Sequence, residues 1–164
     1  MKVIKKQKNS KNCIICGLDN PIGVKANFYE LEDGSLASLF SFSLEHQSYP
    51  ERVHGGMSSA LLDELMGRVI WVTEPTTYAV TTSMQVSFRK PVPYGENLKA
   101  RAEITFNSLR GYSAKGEIYN MNGETLVSAT AKYVKLPEKV ITKNFDMHEE
   151  MAYLIEDGVT EINF

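Results

Sequence analysis

His54-Gly55-Gly56-Met57-Ser58-Ser59-Ala60-Leu61-Leu62-Asp63-Glu64-Leu65-Met66-Gly67-Arg68-Val69-Ile70-Trp71-Val72 is the stretch whose reading decides the fold. From Met57 to Val72 it is proline-free and rich in good helix formers, which predicts one long helix. Met57, Ala60, Leu61, Leu62, Leu65, Met66, Val69, Ile70 and Val72 cover most of its circumference. Only Asp63, Glu64, Gly67 and Arg68 form a narrow polar strip. A helix on a protein surface carries a wider polar face, so this one is expected to lie buried along a sheet that wraps it.

The flanking sequence supplies the sheet. Val24–Glu32 and Ser35–Leu44 read as strands joined at Asp33-Gly34, a hairpin signal. Tyr78–Phe88 is rich in β-branched residues. After it, Leu98, Ala100, Ala102, Ile104 and Phe106 alternate with Lys99, Arg101, Glu103 and Thr105, the pattern of a half-buried strand with a solvated back. Tyr112–Met121 and Thr125–Val134 flank Asn122-Gly123, a second hairpin. No helical segments separate these later strands, so the sheet has to be antiparallel. The expected class is α+β, a curled antiparallel β-sheet wrapped around one long central helix. Residues 21–136 form that domain. Residues 1–20 read as a basic tail with a Cys-x-x-Cys segment, and 137–164 as a C-terminal extension with a short helix over Asp146–Ile155, capped by Asp146.

Composition narrows the function classes. At 164 residues the chain suits one domain able to bury a full core without disulfide or metal staples. Hydrophobic residues make up 43% and charged residues 23%, and 18 Lys+Arg against 20 Asp+Glu leave a charge of −2. That balance argues against broad nucleic-acid binding, and no apolar run spans a bilayer. The lysine-rich opening (Lys2, Lys5, Lys6, Lys8, Lys11) reads as a solvated, frayed tail and is followed by no secretory segment, so a cytoplasmic location is expected. Cys13 and Cys16 stand before turn-like Asp19-Asn20-Pro21 without a second ligand pair, and are expected to be buried thiols in an N-terminal flap, with no metal. His46 and His148 lack ligand spacing and read as surface residues. His148-Glu149-Glu150 is no zinc-protease pattern and Gly56-Met57-Ser58-Ser59-Ala60 no nucleophile elbow.

The chemistry concentrates around the helix. Gly55 and Gly56 let the chain turn sharply and admit a ligand, and the unpaired N–H groups of a helix start can hold an oxyanion. His54 is expected to brace that turn through a ring-to-backbone hydrogen bond. Glu64 has a partner in Arg68 one turn on. Asp63 has none, its i±3 and i±4 neighbours being Ala60, Ser59, Met66 and Gly67. A buried, unpaired carboxylate with a raised pKa is a general-base candidate. Asp63 lies roughly 10 Å along the axis from Gly56, at about 1.5 Å per residue, so the two do not converge on one carbonyl within a chain. Two antiparallel copies of the helix about a two-fold axis would bring them together, which implies a homodimer with two composite sites.

His54-Gly55-Gly56 through Asp63-Glu64-Leu65-Met66-Gly67 resembles the signature of hotdog-fold acyl-CoA thioesterases of the PaaI-like branch. The resemblance spans about residues 21 to 135, including the proline-ended strand Val80–Pro91 and the Asn122-Gly123 hairpin; the Cys13–Gly23 opening recurs in some members. It implies that the Gly55 N–H polarises a thioester carbonyl while Asp63 of the neighbouring subunit activates water or attacks directly, and that Thr81 helps hold the water. Many members place Asn, Gln or Gly six residues before the His; here Ser48 stands there, with Gln47 beside it. Arg89, Lys90, Arg110 and Gly111 are expected to meet the nucleotide end of coenzyme A as one cluster. Met57, with Met84, Phe88, Tyr94 and Tyr112, suggests an apolar acyl pocket. No cofactor is expected, coenzyme A entering as part of the substrate. The expected partners are acyl-CoA and a second copy of the chain, as a dimer or dimer of dimers, without nucleic acid or membrane. A non-catalytic acyl-CoA binder or sensor is the alternative, and a dehydratase acting on a hydroxyacyl carrier ranks below it.

Overall fold

The central segment forms its helix two residues earlier than its apolar pattern predicts. In the computed structural model, which describes residues 1–144 and 146–164, α1 runs Gly55–Arg68 and tightens into a 3-10 turn over Val69–Val72. Gly55 and Gly56 are thus the first helical residues rather than the turn before them. His54 takes the capping position, with extended backbone, and its Nδ1 accepts the Gly56 N–H at 2.9 Å. Leu61, Leu62, Leu65 and Met66 are fully buried, as the all-round apolar pattern requires.

Seven strands enclose one side of α1: β1 (Val3–Lys6), β2 (Asn27–Leu31), β3 (Leu36–Ser41), β4 (Tyr78–Phe88), β5 (Asn97–Asn107), β6 (Gly111–Asn120) and β7 (Thr125–Leu136). They form one antiparallel sheet in the spatial order β1-β2-β3-β5-β6-β7-β4. Gly34 and Gly123 take the left-handed backbone that the two hairpins need, with φ of 81° and 85°. Beneath the helix the sheet is lined by Ala100, Ala102, Ala114, Ala129 and Ala131, all buried. At Gly116 an added Cβ would stand 3.1 Å from Met66 Cγ and 3.3 Å from Leu62 Cδ2. Small residues on the sheet and large ones on the helix let the two layers approach closely. This is the expected α+β architecture, a central helix packed against an antiparallel sheet. Among the described residues no helix is long and apolar enough to cross a membrane.

Several local expectations are corrected. The lysine-rich opening is not frayed: Val3–Lys6 adds β1 to the sheet by pairing with β2, and its lysines reach acids, Lys6 to Asp157 at 2.7 Å and Lys5 to Glu30 at 3.3 Å. The back of β5 is not fully solvated. The chain end returns across it, so that Lys99 is 5% exposed and donates to the Asn163 carbonyl at 2.6 Å, while Ile162 joins Tyr29, Leu31 and Ala37 in a second small core. Phe106, expected inside, is exposed because a bulge between Ile104 and Phe106 shifts the phase of β5. His46 is buried, its ring bonded to the Ile22 carbonyl at 2.8 Å and edge-on to Phe42. The C-terminal helix shrinks to one turn, α3 (Met147–Glu150), still capped by Asp146, after another short turn, α2 (Glu138–Ile141). Phe145, within the expected extension, lies outside the described residues.

A carboxylate ties the entry of β4 to the far hairpin. Glu74 accepts from Lys135, Asn107 and Thr77, each at 2.8 Å. The Lys135 ammonium, with the two neutral donors, holds its carboxyl down at about 2, against an ordinary 4.5. A depressed carboxylate stabilises the fold fully above its ordinary value, and the contribution disappears as pH falls toward about 2. The melting-temperature advantage of wild type over Glu74→Gln is therefore expected to be present at about pH 7 and to shrink by about pH 3. Equal advantages at both would show that the contact is not carried by charge.

Candidate active site

Two depressions flank α1, one at its start and one beyond its middle, and β4 runs antiparallel to the helix between them. The first, of about 310 Å³, is lined by Ser48, Gly55, Ser58, Phe88, Arg89 and Lys90 among others. The loop feeding it is held by a bridge between Gln47 and Val53, by Val53 N–H donating to the Val92 carbonyl at 2.9 Å, and by Tyr94, whose hydroxyl donates to Gln47 Oε1 at 3.0 Å. A Cβ at Gly55 would stand 3.1 Å from the Phe88 ring, so glycine is needed there for the ring to cover the helix start. With the Gly56 N–H taken by His54, the Gly55 N–H is left free: no described residue accepts from it. Ser58 was not foreseen. Its Oγ is buried without a hydrogen-bond partner among the described residues, and it lines the same depression.

The second depression, of about 350 Å³, is lined by Asp63, Gly67, Tyr78, Thr81 and Tyr133, together with Glu64 and Arg68. Asp63 is half-buried rather than enclosed, and it is not without partners. Thr81 Oγ1 donates to Asp63 Oδ1 at 2.8 Å and the Tyr133 hydroxyl to the same oxygen at 3.1 Å. Thr81 faces the helix because β4 carries a bulge between Thr81 and Ser83, which switches the inward phase from Ala79 and Thr81 to Met84 and Val86. Burial and the adjacent Asp63 charge push the Tyr133 phenol up, so it stays a donor. Tyr133 in turn stacks on Tyr112 at 4.7 Å, and Tyr112 donates to the Gly67 carbonyl at 2.8 Å. Two neutral hydroxyls fix the carboxylate without cancelling its charge, and the second oxygen is left for a reacting molecule.

Residues 51–126 match the family model of the thioesterase superfamily. Around it, a thioesterase superfamily protein of known structure superimposes with a TM-score of 0.70 at 23% identity, over 76% of this chain and 63% of that one, less than two thirds of its length. The E. coli PaaI protein from the phenylacetic acid degradation operon gives 0.63 at 17% identity, over 70% and 81%. A Bacillus halodurans protein solved with CoA gives 0.56 at 27% identity, over 61% and 66%. No curated protein matches the sequence.

Within this domain the expected basic cluster is split. Arg89 and Lys90 hang on the Leu126 carbonyl at one end of β7, whereas the Arg110 carbonyl accepts from Lys135 at the other. Those positions are roughly 30 Å apart along an extended strand. Arg110 and Gly111 therefore lie at the Asp63 end, separated in one chain from Arg89 and Lys90. Lys90 is paired with Glu124, and Arg89 donates to Ser128 Oγ at 3.3 Å. Gly111 has a packing reason as well, since a side chain there would strike the Tyr133 carbonyl. Met57 is half-buried against the core near the helix start, and Tyr112 is core.

The polar strip of α1 is also used differently from its reading. Arg68 is 3% exposed, not solvated. It pairs with Glu64 at 2.6 Å as expected, and also donates to Cys16 Sγ at 2.9 Å and to the Lys8 carbonyl at 2.9 Å. The N-terminal flap thus docks on the helix, bringing Cys13, Cys16 and Glu64 within 4.8 Å of one another.

Proposed function

We propose that the protein is an acyl-CoA thioesterase of the PaaI-like type, hydrolysing a thioester to a free acid and CoA in composite sites of a homodimer. The observation that carries the reading is the Asp63 carboxylate, held by Thr81 and Tyr133 without a cation, on a helix whose first free amide belongs to Gly55. The substrate carbonyl accepts from the Gly55 N–H at the helix start, where the dipole favours developing negative charge. Asp63 of a second copy takes a proton from water as it attacks the carbonyl, or attacks it directly, and the thiolate of CoA leaves. Thr81 keeps the carboxylate in place, and Ser48 and Ser58 line the depression at the carbonyl end. No cofactor is required, since water is the co-substrate.

Edge geometry supports the dimer. β4 ends the sheet, is 11 residues long, and exposes Thr81, Thr82, Ser83, Gln85, Ser87 and Phe88. A free edge of that length invites pairing with another strand. Two β4 strands paired antiparallel about a two-fold axis bring the Asp63 end of one copy to the Gly55 end of the other. The same operation brings Arg110 of one copy toward Arg89 and Lys90 of the other, which reunites the phosphate-binding group. The B. halodurans relative, solved with CoA, supports that ligand class.

The test is a panel of acyl-CoA thioesters assayed for thiol release, with binding followed in parallel by calorimetry. Turnover with at least one acyl class is expected. Tight acyl-CoA binding without any release of thiol would overturn hydrolysis in favour of a binder or sensor.

A further inference from the structure

We propose that Cys13 and Cys16 form a redox-active dithiol that undergoes thiol–disulfide exchange with low-molecular-weight disulfides and closes reversibly into an intramolecular disulfide. This site lies apart from the Gly55 amide and does not depend on the thioesterase reading.

Three observations carry the inference. Cys13 and Cys16 lie on a single helical turn closed by the Gly17 N–H donating to the Cys13 carbonyl at 2.8 Å. Residues three apart on such a turn have neighbouring side chains, and their sulfurs lie within 4.8 Å here, so a bond between them needs little backbone movement. Gly17 maintains the turn, since a Cβ there would stand 2.5 Å from the Cys13 carbonyl oxygen. Second, the two thiols are unequal. Cys16 is fully enclosed, bonded by Arg68 at 2.9 Å and in contact with Ser10 Oγ at 3.1 Å, whereas Cys13 is partly exposed and can meet a small molecule. Third, a buried guanidinium stands over the pair. Among the described residues Arg68 has only Glu64 as carboxylate partner, and its other N–H groups reach Cys16 and the Lys8 carbonyl, with the Met151 sulfur beyond.

The groups facing the pair are Glu64 and Arg68, with opposite effects. The Cys16 thiol donates to Glu64 Oε1 at 3.6 Å; the neighbouring Cys16 side chain holds the Cys13 thiol down at about 6, while the same proximity and burial push Cys16 up. The accessible Cys13 is therefore the more readily ionised of the two sulfurs. A metal ion fits less well. Cys13, Cys16 and Glu64 supply three ligand atoms, but the Arg68 guanidinium already occupies the cationic position against two of them. A structural staple also fits poorly, because closing so short a loop removes little entropy from the unfolded chain.

The exchange balances as follows. The Cys13 thiolate attacks one sulfur of a disulfide RSSR, forming a mixed disulfide and expelling RS⁻, which is protonated. Cys16 then loses its proton to the medium and attacks Cys13 Sγ, forming the Cys13–Cys16 bond and expelling a second RS⁻, which is protonated in turn. The dithiol gives up two electrons and RSSR becomes two RSH.

The full-length protein, reduced and then treated with oxidised glutathione, tests this by intact mass and thiol titration. Wild type is expected to lose both thiols without retaining glutathione, and dithiothreitol to restore them. Cys16→Ser is expected to accumulate the mixed disulfide at Cys13, and Cys13→Ser to react at least tenfold more slowly than wild type. Alkylation of Cys13 by iodoacetamide should rise with a midpoint near pH 6. Wild type that stays reduced, or that holds glutathione stably on either cysteine, would overturn the proposal. So would stoichiometric zinc in the purified protein that protects both thiols from glutathione disulfide.

Discussion

Replacing Asp63 by Asn is expected to lower kcat/KM on acyl-CoA by about 10²–10⁴-fold, the range for loss of a positioned general base. Asn keeps the size of the side chain, and its Oδ1 can still accept from Thr81 and Tyr133, so the environment of the position is preserved while the proton acceptor is lost. Circular dichroism and sedimentation should match wild type, which separates a chemical defect from a folding one. Undiminished turnover in this variant would remove Asp63 from the reaction. The composite site makes a sharper demand. Gly55→Val places a branched side chain against the Phe88 ring and should be inactive by itself. In a mixed dimer of Asp63→Asn with Gly55→Val, one site carries both defects and the other carries neither. Mixing the two inactive proteins after dissociation is therefore expected to restore activity. If each chain held a whole site, no mixture could recover any.

Leu62→Ala is expected to destabilise the fold by about 2–5 kcal/mol, the cost of deleting a large buried aliphatic side chain from a packed core. Leu62 is fully buried and reaches the sheet where Gly116 leaves room for it, so the vacated volume has no neighbour able to fill it from the helix side. Against a typical total stability of about 5–15 kcal/mol that is a large fraction. Urea unfolding should show a lower midpoint at unchanged slope. A loss below about 1 kcal/mol would mean that the helix is not enclosed as described.

The apolar character of Met57 to Val72 around all but a narrow polar strip marked a mostly buried helix, and the absence of helical segments between the later strands left only an antiparallel sheet to bury it. Both features are local periodicities, and both appear in the structure. Asp33-Gly34 and Asn122-Gly123 marked hairpins because only residues tolerant of positive φ suit those turns. The pairing of Glu64 with Arg68 was also legible, being a contact within one helical turn.

Tyr133 was not legible. It sits 70 residues from Asp63 and meets it only because β7 passes under the helix, and no spacing rule reports that. The burial of Arg68 was missed for the same reason: the flap that covers it, from Lys8 to Cys16, is brought there by β1 joining the sheet edge. The split of Arg89 and Lys90 from Arg110 is a matter of strand register, which runs the length of β7.

Sequence by itself determined which segment is the central helix, that the sheet is antiparallel, and that Asp63 is an acid with no cation one turn away, because each of these is written within a few residues of chain. Tertiary structure alone decided what surrounds that acid and which half of the molecule each basic residue occupies. Those depend on the bulge in β4, the close approach of small sheet residues to α1 and the return of both termini across the sheet, contacts that form only when segments distant in sequence pack together.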